Sequence, residues 1–131
     1  MDWGGIRRRT ALGLGVLTAS ALCALAAPGS AQAAAAPTHC AGRKVASLPF
    51  TTGTVQVYRN DGYVCALTVP RRPGPRQVMS VSVQARGSRP VVDRGRFVER
   101  AGPVTVHAGH RCVRVTGSVG GGSADSGWIL C

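Results

Sequence analysis

The chemically most suggestive stretch is His107-Ala108-Gly109-His110-Arg111-Cys112, where two imidazoles and a thiol fall within six positions. These are zinc-ligand types, but a bound cysteine must be a thiolate. In an exported chain with other cysteines to pair with, Cys112 is expected to be oxidised instead. The carboxylates that accompany it are Asp61, Asp93, Glu99 and Asp125. Acid–base catalysis needs two that converge, whereas Asp61 reads as a turn residue and Asp125 lies in a glycine-rich stretch. Serines are numerous, yet no nucleophile elbow accompanies them, so a Ser-His-Asp triad has no local signature. The expectation is a protein that is not an enzyme and uses neither metal nor cofactor.

The remaining chemistry is cationic. Arg71 and Arg72 with Arg76 form one cluster, and Arg86, Arg89, Arg94, Arg96 and Arg100 form a second, read as lying across consecutive turns and converging on one edge. Paired guanidiniums of this kind grip phosphate or carboxylate. Few aromatic residues are interleaved with them, so no stacking platform for nucleic acid is visible, and nucleic acid is not the expected natural target. Trp128, beside Ile129 and Leu130, is expected to cap the core; with Tyr63 it would alternatively stack on a sugar ring.

The compartment follows from the first 33 residues. Arg7, Arg8 and Arg9 precede an uncharged run from Ala11 to Ala27, and Ala31-Gln32-Ala33 supplies small residues for cleavage. That is the three-part pattern of a secretory signal, too short and mildly apolar for a membrane span. Cys23 would be discarded with it. The adjacent arginines also loosely fit a twin-arginine signal; ordinary Sec export is the preferred reading. Cleavage after Ala33 leaves 98 residues: a disordered leader, 34–39, and a single domain, 40–131. Removing Arg7, Arg8, Arg9 and Asp2 from 16 basic and 5 acidic residues leaves 13 and 4, a net charge of about +9. Such a surface attracts anionic polymers, although arginine-dominated basicity with abundant Ala, Gly and Pro is also what a GC-rich genome produces.

Four cysteines remain, Cys40, Cys65, Cys112 and Cys131, an even number that reads as two disulfides with three possible pairings. Cys40 with Cys65 and Cys112 with Cys131 is preferred, since each pair would tie a chain end to a neighbouring strand.

The elements that must position these groups are short strands. Lys44–Leu48 is a first strand ended by Pro49. Thr54–Arg59 and Tyr63–Val69 flank Asn60-Asp61-Gly62, a strong hairpin signal, with Val55 and Val57 expected inward beside Cys65, Leu67 and Val69. Pro70–Arg76, with three prolines, is an exposed loop. Gln77–Gln84 buries Met79, Val81 and Val83 behind Ser80, Ser82 and Gln84. A weaker strand follows through Val91-Val92. Ala101–Gly117 reads as a hairpin, Gly117–Gly127 as a glycine-rich loop, and Trp128–Cys131 as a short strand or tail. No helical period runs through the mature chain, so the expected fold is an all-β antiparallel sandwich or small barrel of seven or eight strands with two disulfides.

The order of these features resembles a family of small secreted actinobacterial proteins, spore-associated protein A. The resemblance rests on the spacing of the four cysteines, on Tyr63-Val64-Cys65-Ala66-Leu67-Thr68, and on Ala101-Gly102-Pro103-Val104 leading to Cys112-Val113. Arg100 and Val115 stand where the family usually carries tyrosine and tryptophan. The resemblance implies an extracellular location and association with spores or the cell surface, and implies no catalytic residues. The expected function is therefore a non-enzymatic surface protein held on anionic wall or spore polymers through the arginine-rich edge formed by Arg86, Arg89, Arg94, Arg96 and Arg100. Two alternatives are an inhibitor of extracellular proteases, presenting an arginine in Pro70–Arg76 or Arg86–Pro90, and a carbohydrate-binding module.

Overall fold

A computed structural model describes residues 38–131. The expected signal segment with Cys23, and the expected leader as far as residue 37, lie outside the described residues. Eight strands follow in order: β1 (Arg43–Phe50), β2 (Gly53–Asn60), β3 (Tyr63–Pro70), β4 (Gln77–Ala85), β5 (Val91–Phe97), β6 (Ala101–His107), β7 (Val113–Val119) and β8 (Gly122–Ile129). They form two antiparallel four-stranded sheets, ordered β1-β2-β3-β6 and β5-β4-β7-β8. The sheets share one core built from Val55, Val57, Val64 and Ala66 on one side and Met79, Val81, Val83, Val113 and Val115 on the other. The described chain is thus an all-β sandwich with two disulfides, Cys40–Cys65 and Cys112–Cys131.

The Asp61-Gly62 turn fixes the register of the first hairpin, with Asp61 in the left-handed region at φ 54°. Asn60 opposes Tyr63, so Val57 opposes Ala66 and Val55 opposes Thr68. Opposed residues share a face. The inward set on β3 is therefore Val64, Ala66 and Thr68, which corrects the expected Cys65, Leu67 and Val69. Cys65 instead lies on the outer side of its sheet, bonded to Cys40. On β4 the expected alternation holds: Met79, Val81 and Val83 are fully buried. Ser80 and Ser118, and Ser82 and Thr116, join hydroxyls at 2.6 Å on the opposite face.

Three other expectations are corrected. Pro49 does not end the first strand, which continues to Phe50; β1 is a sheet edge, so its missing N–H interrupts no ladder. Ala101–Gly117 is not a hairpin. β6 pairs with β3 and β7 with β4 and β8, and residues 108–112 carry the chain from one sheet to the other. Both runs alternate because both face one core, which is the pattern a hairpin would also give. Gly117–Gly127 is not a loop, since β7 and β8 occupy it and turn at Gly120-Gly121. A Cβ on Gly117 would overlap Thr68 Oγ1 and Val55 Cγ2. The missing side chain lets the sheets approach closely, and there the buried Thr68 hydroxyl donates to the Ser80 carbonyl across the sandwich at 2.9 Å.

Candidate functional site at the arginine-rich end

One end of the sandwich gathers the β1–β2 turn, the β3–β4 loop and the β7–β8 turn. Arg71 N–H donates to the Thr52 carbonyl at 2.8 Å, the Thr52 hydroxyl donates to the Val119 carbonyl at 2.7 Å, and Gly120 N–H donates to the Val78 carbonyl at 2.8 Å. These bonds hold the three connections together although none belongs to a strand ladder. Residues 71–76 are exposed. Pro73 and Pro75 lack the N–H donors that would extend a strand. Between the turn and the loop lies an open cleft of about 450 Å³, lined by Thr51, Thr52, Arg71, Arg72, Pro75 and Gln77. No carboxylate is among these lining residues. Gln77 Nε2 reaches the Arg72 carbonyl at 3.4 Å.

Arg76 links this loop to the neighbouring edge strand, its Nη1 donating to the Arg96 carbonyl at 3.2 Å. Arg94 and Arg96 alternate with Gly95 on β5 and are exposed, opposite Ser80 and Val78 of β4. Arg94 and Arg96 therefore lie within a continuous strand, not in turns, with Arg96 next to the Arg71–Arg76 loop. Arg100 is in the β5–β6 connection at the same end, paired with Glu99 at 3.3 Å. Arg86 and Arg89 are at the far end of β4, about 26 Å away along the strand. The five arginines expected on one edge do not converge. The structure instead gathers Arg71, Arg72 and Arg76 at one end, where Arg76 reaches Arg96, with Arg94 farther along the same edge strand opposite Ser80.

The other end is held shut by the protein itself. Arg111 Nε donates to the Ala108 carbonyl at 3.1 Å, Nη2 to the His107 carbonyl at 2.9 Å, and Nη1 to Ser88 Oγ at 3.1 Å and the Arg86 carbonyl at 3.3 Å. Arg59 Nη2 donates to the Gly109 carbonyl at 3.0 Å. The Arg86 guanidinium stacks 5.3 Å from the Trp128 ring centroid. His107 is exposed with its ring edge-on to Tyr63 at 4.9 Å, His110 is exposed, and Cys112 is bonded to Cys131. Among the described residues no three His, Cys, Asp or Glu side chains gather as a metal site would require.

Trp128 is 39% exposed and does not cap the core; it lies opposite Arg114 on the outer face of its sheet, while Ile129 packs inward. Tyr63 belongs to the other sheet, so the two rings do not form a single sugar platform. Asp125 is on β8, not in a mobile loop. Arg114 Nε donates to its Oδ1 at 3.0 Å, and Gly127 N–H adds a bond at 2.9 Å. The Arg114 bonds, then the Gly127 amide, hold the Asp125 carboxyl below its ordinary range, and the same pairing raises the Arg114 guanidinium. Of the other carboxylates, Asp93 accepts the Gly102 N–H at 2.8 Å and Glu99 pairs with Arg100.

No family profile, curated protein or solved structure matches the chain. Thr51, Thr52 and Gln77 in the cleft, and Arg111 at the other end, are the residues that sequence reasoning missed. Nothing local indicated that Thr51 and Thr52 would face Arg71 and Arg72.

Proposed function

We propose that the protein is an exported, non-enzymatic surface protein that holds anionic wall or spore-surface polymers at its arginine-rich end. The observation that carries this reading is an exposed run of arginines, with Arg71 and Arg72 lining a cleft that has no carboxylate in its lining, Arg76 beside them reaching the Arg96 carbonyl, and Arg94 and Arg96 exposed along the adjoining edge strand. Guanidiniums so placed attract polyanions and grip their oxygens in pairs. Two disulfides fit an oxidising environment, and the resemblance to spore-associated protein A adds the spore or cell surface as the place of action. The Arg71–Arg76 loop, stiffened by two prolines and anchored on Thr52, also has the form of a protease-binding loop, which gives the second reading.

Retention of the oxidised protein on isolated cell walls and spores across a salt gradient tests the proposal. It predicts retention at low salt that falls steeply towards physiological strength as the contacts are screened, and its loss in the variant R71Q/R72Q/R76Q/R94Q/R96Q. Retention that survives high salt would overturn the electrostatic mechanism. No retention, with inhibition of a trypsin-like secreted protease, would replace it by the second reading.

A further inference from the structure

The cleft supports a sharper assignment that rests on the reading above: we infer that it is a discrete pocket for a phosphomonoester carried on a sugar- or polyol-sized unit. Its polar lining includes Arg71, Arg72 and Thr51, whose side chains carry two guanidiniums and a hydroxyl. Among the described residues these two guanidiniums and this hydroxyl make no hydrogen bond to protein, whereas the Thr52 hydroxyl is already committed to Val119. Two arginines offer ten N–H donors in two rigid forks and two positive charges. A planar monoanionic carboxylate occupies one fork; a tetrahedral dianion has oxygens for both and balances both charges. The pairing therefore selects phosphate over carboxylate.

The space exceeds what a bare phosphate fills. At about 450 Å³ the cleft falls within the range of organic-ligand pockets, ~300–1,000 Å³. Pro75 gives it an apolar wall for carbon. Gln77 is held by its amide nitrogen on the Arg72 carbonyl, which leaves Oε1 as an acceptor for a ligand hydroxyl. The backbone bond from Arg71 to Thr52 ties one wall to the other, so the main-chain frame of the pocket is set before a ligand arrives. The phosphomonoester belongs either to the end of a wall polymer or to a free small molecule.

Titration of the oxidised protein with glycerol 3-phosphate, followed by amide chemical shifts, is the test. The expected result is saturable one-to-one binding centred on Thr51, Thr52, Arg71, Arg72 and Gln77. It weakens at least tenfold in R71Q/R72Q and as pH falls below the second phosphate ionisation near ~6, and is far weaker for acetate. The charge-matched variant R43Q/R89Q, at the opposite end, keeps wild-type affinity. Diffuse non-saturating shifts, equal binding of acetate, or equal loss in the two double variants would overturn the pocket. Phosphomonoesterase treatment of the walls then identifies the source: lost retention assigns polymer ends, and unchanged retention with intact glycerol 3-phosphate binding assigns the free compound. Salt-sensitive wall retention without phosphate selectivity would remove the pocket alone, and phosphate binding without wall retention would remove the surface-polymer reading alone.

Discussion

The two ends of the sandwich use the same residue type in opposite ways. Around Cys112–Cys131, Arg111 and Arg59 point their guanidiniums at the chain's own carbonyls, Arg86 lies over Trp128, and Arg114 is matched by Asp125. At the other end Arg71 and Arg72 are exposed against the cleft, Arg94 and Arg96 are exposed on the adjoining edge strand, and Arg76 alone reaches a carbonyl, that of Arg96. Both disulfides lie towards the first end: Cys112 and Cys131 flank the sheet crossing, and Cys65 is two residues from the Asp61-Gly62 turn side of β3. One end is thus cross-linked and commits Arg59, Arg86, Arg111 and Arg114 to the protein's own groups, with Arg43 and Arg89 exposed beside them, while at the other end Arg71 and Arg72 are exposed against the cleft. Net charge counts these arginines alike; only the partners of each guanidinium separate structural cations from those available to a ligand.

Breaking the clamp should have the largest effect. The disulfides close segments with sequence separations of 25 and 19 residues, for which chain-entropy estimates give about 3 kcal/mol each. In a domain of this size that is a large share of total stability. C112S/C131S and C40S/C65S should each lower the denaturant midpoint accordingly, leaving wall binding intact under conditions where the domain stays folded. The smallest effect belongs to the Arg114–Asp125 pair. Its carboxyl is depressed in the folded state, so its contribution is present above the unfolded value near ~3.9 and is lost as pH falls through the folded one. The pair is exposed and screened by salt. D125N should therefore melt slightly lower than wild type at neutral pH, with the difference closing as pH falls below about 4 and the pH dependence there slightly flattened.

The fold class was legible because apolar alternation survives in nearly every strand. Which strands pair was less legible: Val104, Val106, Val113 and Val115 alternate towards a shared core, and this pattern does not distinguish a hairpin from two strands facing each other across a sandwich. The faces of β3 were in principle readable, because a two-residue Asp-Gly turn makes Val57 oppose Ala66, leaving Cys65 outside. Glycines misled most. Gly117 sits in a strand interior where a side chain would collide with the facing sheet, a tertiary reason that local sequence does not carry. The arginine-rich end was half legible for the same cause. Exposure of Arg71, Arg72 and Arg76 followed from the three prolines. Their meeting with Thr51, Thr52 and Arg96 depends on how β1–β2, β3–β4 and β5 come together.

The most direct test of the contrast between the ends is a paired charge removal, R71Q/R72Q/R76Q against R59Q/R86Q/R111Q, with thermal melting and low-salt wall retention measured on both. The cleft-end variant should melt within about 3 °C of wild type, as exposed substitutions do, and lose retention. The clamp-end variant should melt about 10 °C lower or more, since several carbonyl hydrogen bonds are lost, and keep retention while folded. A cleft-end variant that melts as low as the clamp-end variant, or a folded clamp-end variant that loses retention equally, would contradict the account.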